Sequence, residues 1–375
     1  MGLNHGKTRD NGMNNNVHET TKREGAPMVT VVATDELRER VRAAVAATLT
    51  GNAFPYARLV VDGNGLRVTS HLGHLRYSGN VTVIARDGAE GDAAAVVSGS
   101  ALAEYLETVT RAGVRIAWYN DRIVLTDGDG VFSISKAAGG RESDVAVNAD
   151  AVEVRGMPWD IADGLEADAV VRLSVLYGEV TVAAYDGTKY CAGRVAICGG
   201  FTDLKAYAYI KAEAAQFMAK YFDAERPQCV RVGEEYVEVT DGERTALIPN
   251  DHKDIFPIVM SVDTHLTVDH RSMITAAQRA RAAYGHVPNG RAWIRVDKSG
   301  VRVGSDWFIT ADHEVAVLHV GEGVGPATYT VDADTLLWAL RVVDDEDGSG
   351  IGIAAKFGRL DIVGATRFAI IPETI

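Results

Sequence analysis

Short Val-rich runs in which apolar and polar residues alternate recur along most of the chain. RLVVDGNGLRVTS from Arg58, RLSVLYGEVTVAA from Arg172 and WIRVDKSGVRVGS from Trp293 each read as two strands around a turn. Their turn glycines, Gly65, Gly178 and Gly300, lie 113 and 122 residues apart. A second set interleaves with these. From Ser100, Lys211 and Asp332 the pattern is a helix of about three turns, a strand, a tight turn, a strand, a break and a third strand. These starts are 111 and 121 residues apart, and the turns fall at Asn120-Asp121, Gly233-Glu234 and Phe357-Gly358. Glycine and Asn-Asp are the residues that tolerate the positive φ of a hairpin turn.

The helices carry an apolar stripe, illustrated by Leu102, Tyr105, Leu106 and Val109 at offsets 0, 3, 4 and 7. Further helices are predicted over 35–49 and 271–284. A weaker candidate lies at 149–155, where helix formers are poor and Pro158 intervenes. The chain therefore reads as six copies of one β-α-β-β-β unit, paired into three α+β domains. The predicted boundaries are 28–138, 144–260 and 263–375, with helices on one face and antiparallel sheets outside.

At 375 residues the chain is too long for one ordinary core. A net charge of −13 argues against a surface coated for wrapping nucleic acid but leaves room for a local basic stripe. Residues 1–27 are polar and Gly/Asn-rich, the composition of a disordered tail. The tail's Gly2–Thr8 run is one residue short of a phosphate loop and follows no strand. Cys191, Cys198 and Cys229 are odd in number and lack CxxC spacing, so neither a disulfide framework nor a zinc site is expected and a reducing cytoplasm suits the chain. The adjacent pairs Asp251-His252, Asp269-His270 and Asp312-His313 do not make a catalytic site by themselves, and no GxSxG or HExxH motif occurs. No catalytic residue, metal or cofactor is expected.

Several local motifs add to this plan. Tyr185-Asp186-Gly187-Thr188-Lys189-Tyr190, Ile255-Phe256-Pro257, Ala280-Arg281-Ala282-Ala283 and the ending Phe368-Ala369-Ile370-Ile371-Pro372-Glu373-Thr374-Ile375 resemble the bacterial DNA polymerase III beta subunit, the DNA sliding clamp. The resemblance extends from Met28 to Ile375. It departs from the family at Thr188, Lys189, Tyr190 and Glu373, as a divergent, phage-encoded or paralogous member would.

The resemblance implies a processivity factor without catalysis. A head-to-tail homodimeric ring would encircle double-stranded DNA without reading its sequence, and would engage a polymerase and a clamp loader through short peptides. Helix-borne cations are then the channel candidates: Arg38, Arg42, Lys211, Lys220, Arg271, Arg279, Arg281 and Arg341, together with Lys205, which precedes the second domain's repeat where the family is also basic. The implied partner-peptide pocket comprises Asp186, Gly187, Thr188, Lys189, Tyr190, Pro257, Val262, Ala369, Ile370, Ile371 and Pro372. The implied dimer interface sets Phe132 and Ile134 against Tyr284. The alternatives are a clamp-shaped scaffold that holds partners without encircling DNA, and an unrecognised enzyme.

Overall fold

The computed structural model describes residues 27–49, 54–63, 65–71, 75–87, 91–138, 145–200, 202–251, 256–257, 264, 266–284, 290–297, 300–306, 310–321, 326–344, 348–356 and 358–374. The predicted tail (save residue 27), the domain linkers near 140 and 260, Val262, His252 and Phe357 lie outside these residues.

The first unit is β1 (Met28–Ala33), α1 (Thr34–Leu49), β2 (Tyr56–Asp62), β3 (Gly65–His71) and β4 (Arg76–Val81), with β5 (Val83–Asp87) appended. The second is β6 (Ala93–Ser98), α2 (Gly99–Thr108), β7 (Gly113–Trp118), β8 (Arg122–Thr126) and β9 (Val131–Ser135). The third runs through β10 (Ala151–Val154), a single 3-10 turn at Trp159–Ala162, β11 (Val170–Leu176), β12 (Glu179–Tyr185) and β13 (Tyr190–Ala196). The fourth is β14 (Ala206–Lys211), α3 (Ala212–Tyr221), β15 (Gln228–Val232), β16 (Tyr236–Thr240) and β17 (Arg244–Pro249). The fifth is β18 (Leu266–Val268), α4 (His270–Ala283), β19 (Arg291–Asp297), β20 (Gly300–Asp306) and β21 (Thr310–Val315), with β22 (Val317–Val320) appended. The sixth is β23 (Ala327–Asp332), α5 (Ala333–Val342), β24 (Ile351–Lys356), β25 (Arg359–Val363) and β26 (Arg367–Pro372). Successive pairs are called domains I, II and III below.

The six-unit reading departs from the structure in the third unit. The weak helix candidate is a strand whose residues alternate exposed and buried, with Val152 and Val154 inward. Two β-branched residues at period two favour the pleat over a helix. Beyond Pro158 the chain makes only one tight turn, pinned where Trp159 donates its indole N–H to Gln228 Oε1 at 3.0 Å. Gln216 of α3 donates to the carbonyls of Ala162 and Leu165, so this turn stands beside α3 as a helix would. Two turns also differ from expectation. Gly65, Gly178, Gly300 and Gly358 have positive φ, whereas among the described residues outside glycine only Tyr177 does, at 52°. The Asn120-Asp121 and Gly233-Glu234 turns close without left-handed backbone.

Strand pairing joins the domains. One sheet has the order β10-β15-β16-β17-β4-β3-β2-β6, crossing from domain II to domain I at β17–β4. Another is β14-β11-β12-β13-β26-β25-β24-β18-β22, crossing from domain II to domain III at β13–β26. Each crossing pairs the last strand of an odd unit with the last strand of an even one. Two half-sheets remain at the chain's ends, β5-β1-β7-β8-β9 in domain I and β21-β20-β19-β23 in domain III. The helical elements pack on the sheets and on one another: α1 with α2, α3 with α1 and the 3-10 turn, α4 with α5. Aspartates start two of them, Asp269 accepting from Ser272 N at 2.6 Å and Asp332 from Thr335 N at 2.7 Å.

Candidate functional site

The predicted peptide pocket falls where β13 meets β26. Tyr190 pairs with Ile370, Cys191 with Ala369 and Ala192 with Phe368. Side chains alternate along a strand, so these neighbours divide between two faces. Ala369 and Ile371 enter the main core, while Tyr190 and Ile370 join a separate cluster with Ala183, Ala192 and Phe256. Phe256, next to Pro257, is the hub of this cluster. Its ring centroid lies 5.9 Å from Tyr190, 6.2 Å from Tyr209 and 6.3 Å from Tyr185, with the Arg172 guanidinium 4.7 Å from its ring. Burial pushes the Tyr190 phenol up to about 12, against the pull of Arg172. Tyr190 and Phe256 therefore fill the apolar face with the chain's own aromatic rings.

The rest of the predicted motif makes a turn. Asp186 Oδ1 accepts from Thr188 N (3.0 Å), Thr188 Oγ1 (2.9 Å) and Lys189 N (2.8 Å), while Gly187 takes φ 99°. Lys189 reaches toward domain III, its Nζ lying 5.6 Å from the Trp338 ring on α5. Trp338 donates its indole N–H to the carbonyl of Asp163 at 2.8 Å. A groove of about 840 Å³ runs here between the 3-10 turn and α5, bordered by Asp160, Asp163, Lys189, Asp334, Trp338 and Arg341. Of the expected pocket residues the structure brings Lys189 to this groove, Tyr190 and Ile370 to the aromatic cluster, and Ala369 and Ile371 to the core; Pro372 is exposed. The sequence reading missed Trp338, Asp163 and Arg172. Trp338 sits in an apolar helix stripe, which from sequence reads only as core.

The predicted channel cations divide into two groups. Arg38 is engaged in capping α2: it donates to the carbonyls of Leu106 (2.9 Å) and Val109 (2.7 Å) and pairs with Asp35 at 2.5 Å. Arg42 pairs with Glu107 of α2, and Arg281 with Asp334 of α5, both at 2.5 Å. Arg279 contacts His313 Nδ1 at 3.3 Å. Lys205 lies 5.1 Å from the Tyr177 ring and Lys220 5.3 Å from Tyr221. Lys205, Lys211, Lys220, Arg271 and Arg341 are exposed, with no ion pair to a described residue. Two of the aspartate-histidine doublets, Asp269-His270 and Asp312-His313, have structural contacts. Asp269 caps α4, His270 Nε2 lies 2.7 Å from the Leu340 carbonyl, and Asp312 pairs with Arg302 at 2.8 Å.

Of the predicted dimer residues, two are found at the free end of domain I and the third in domain III. Phe132 and Ile134 lie on the edge strand β9 and share its inner face. Ile134 is buried, and Phe132 stacks on Tyr105 at 4.5 Å. Tyr284 is buried in domain III against Gly290, so its ring is used inside its own domain.

Three paired sheet-and-helix domains joined edge to edge are the architecture of a DNA sliding clamp, and solved clamps superpose on this chain. A DNA polymerase sliding clamp from Bacillus subtilis is 13% identical and aligns with 93% of this chain and 100% of its own, at TM-score 0.76. A sliding clamp (DNA polymerase III subunit beta) from Pseudomonas aeruginosa bound to griselimycin gives the same identity, coverage and TM-score of 13%, 93%, 100% and 0.76. A Helicobacter pylori beta clamp bound to a DNA ligase peptide is 10% identical over 92% of this chain and 100% of its own, at TM-score 0.72. No family model and no curated protein matches the sequence. At such identities the likeness establishes the fold: this chain has the α+β sliding-clamp fold.

Proposed function

We propose that two copies of this chain close head to tail into a ring around duplex DNA and act as a non-catalytic processivity factor. The observation that carries this reading is the pair of unfinished half-sheets. At both internal junctions an odd unit's last strand pairs with an even unit's last strand. The strands of that kind left over are β21 and β9, and both are sheet edges. Joining them would order the strands β5-β1-β7-β8-β9-β21-β20-β19-β23, the same succession as in the sheet shared by domains II and III.

The register supports the joint. Leu125 pairs with Phe132 as Val239 pairs with Ala246, one rung in from Thr126–Val131 and Thr240–Thr245 respectively. Ala246 faces Tyr77, the second residue of β4, and the second residue of β21 is Ala311. Phe132 would thus face Ala311, a large residue opposite a small one, as Tyr77 is opposite Ala246. An apolar edge strand left open invites pairing with another chain.

The exposed cations Lys205, Lys211, Lys220, Arg271 and Arg341 are the phosphate contacts of this reading. A sliding ring needs sequence-independent contacts of this kind. The groove between domains II and III would receive partner peptides. The griselimycin and DNA ligase peptide complexes of the similar clamps support a docking role for such a site. The reading is tested by light scattering and by gel filtration after loading on nicked circular DNA. A dimer that stays with the circle and is released when the circle is linearised is expected. Equal retention on linear and circular DNA would exclude topological linkage.

A further inference from the structure

The internal repeat also bears on the chemistry of the seam between subunits. Helices α2, α3 and α5 each have ten residues after a six-residue strand, so their sixth residues are equivalent: Glu104, Phe217 and Trp338. Phe217 is 5% exposed, and its ring lies 5.8 Å from Tyr77 of domain I in an edge-on contact. Trp338 is 9% exposed and bonds to Asp163 of domain II. Each aromatic ring crosses an internal junction onto the neighbouring domain. Glu104 is exposed, and no hydrogen bond or ion pair ties it to a described residue.

The facing side can be aligned in the same way. The third residue of α1, Glu36, accepts the N–H of Thr82 just past β4 (2.7 Å), and the third residue of α4, Ser272, accepts that of Ala316 just past β21 (3.0 Å). This alignment puts Ala311 where Tyr77 stands, so the platform under the sixth-residue side chain is small at the seam. It also puts Arg279 at the tenth position of α4, exposed and leaning on His313 of the edge strand β21.

We propose that Glu104 of each protomer enters the space above Ala311 of its partner and pairs with Arg279 there. The ring's two seams are then ionic at the position where its internal joints are aromatic. This rests on the dimeric-ring reading. Its consequence is a division of labour: aromatic burial is not weakened by salt, whereas a solvent-accessible ion pair weakens as ionic strength rises. The ring would open at its seams and leave the crescents intact.

The test is sedimentation equilibrium of the full chain at low and high NaCl, for wild type, Glu104→Arg, Arg279→Glu and the double exchange. Both positions are exposed on helices, and circular dichroism melting checks that the variants fold. Each single variant is expected to raise the dimer dissociation constant about tenfold or more, the range of close interfacial charge pairs, and the double exchange to restore it. Wild-type dissociation is expected to rise with salt. Dimers unaffected by either single change, or a double exchange no tighter than the singles, would overturn the ion pair while leaving the ring standing. A wild type that is monomeric at low salt would remove the ring, and the seam with it.

Discussion

Trp338 of α5 donates its indole N–H to the backbone carbonyl of Asp163, 2.8 Å away, so that one hydrogen bond and one buried ring tie α5 to domain II beside the β13–β26 ladder. Gly164 lets the chain pass close to the ring: with φ 77°, a Cβ there would stand 3.1 Å from Trp338 Cδ1. Trp338→Ala is expected to cost about 3–5 kcal/mol in urea unfolding, the usual loss for a buried tryptophan. Trp338→Phe keeps most of the burial and loses the hydrogen bond, at about 1 kcal/mol. An alanine variant as stable as wild type would show that the ring carries no load at this junction.

Arg38 separates structural cations from the proposed DNA-contact cations. Arg38→Ala removes two charge-assisted bonds from the last carbonyls of α2. It is expected to destabilise the protein by about 1–3 kcal/mol. Retention on circular DNA should persist in Arg38→Ala and fall in a Lys211→Ala, Lys220→Ala, Arg271→Ala triple variant. The reverse ranking would assign Arg38 to the channel.

Tyr177 adopts φ 52° at the tip of the β11–β12 hairpin, where the side chain is 64% exposed. Left-handed backbone is costly for most residues and well tolerated by Asn. Tyr177→Asn is expected to stabilise the chain by about 0.5–1 kcal/mol, measured by urea denaturation. A loss of stability would mean that the ring's contact with Lys205 outweighs the backbone strain.

The joint between domains I and II is ionic at its rim. Glu243 binds Arg226 at 2.7 Å and the buried Arg40 at 3.0 Å, and Arg40 also donates to the Asn80 carbonyl at 3.1 Å. The Arg226 hydrogen bond, helped by the charges of Arg226, Arg40 and Arg244, holds the Glu243 carboxyl below its ordinary value. A depressed folded-state pKa gives stability that is present above the unfolded value, near 4.5, and lost as pH falls through the folded one. Acid unfolding should therefore be less steep in that window for Glu243→Gln than for wild type. The side chain is 49% exposed, so screening keeps the effect small. Identical acid profiles would show that Glu243 is not linked to folding.

Much of the fold was legible because its signals are local. Period-two alternation, turn glycines and apolar helix stripes need only neighbouring residues, and they repeat at intervals the eye can align. The third unit's helix failed for a local reason too, since Val152, Val154 and Pro158 outvote a weak helix pattern. The candidate site was less legible. Ala369, Ile370 and Ile371 are three similar residues in a row, and only the pairing of β26 with β13 divides them between the core and the aromatic cluster.

By itself, then, the sequence determined a chain of repeated strand-and-helix units whose helices bear cations, because periodicity and turn chemistry act over a few residues; that β9, with Phe132, is a sheet edge was decided by the packed structure. Tertiary structure alone decided which cations are committed. Arg38, Arg42 and Arg281 find their partners on the neighbouring helix of the same domain, a distance no spacing rule encodes. It also decided that Phe217, Trp338 and Glu104 are one position seen three times, twice facing a domain of the same chain and once facing open water, because equivalence of environment exists only when the packed units are compared in space.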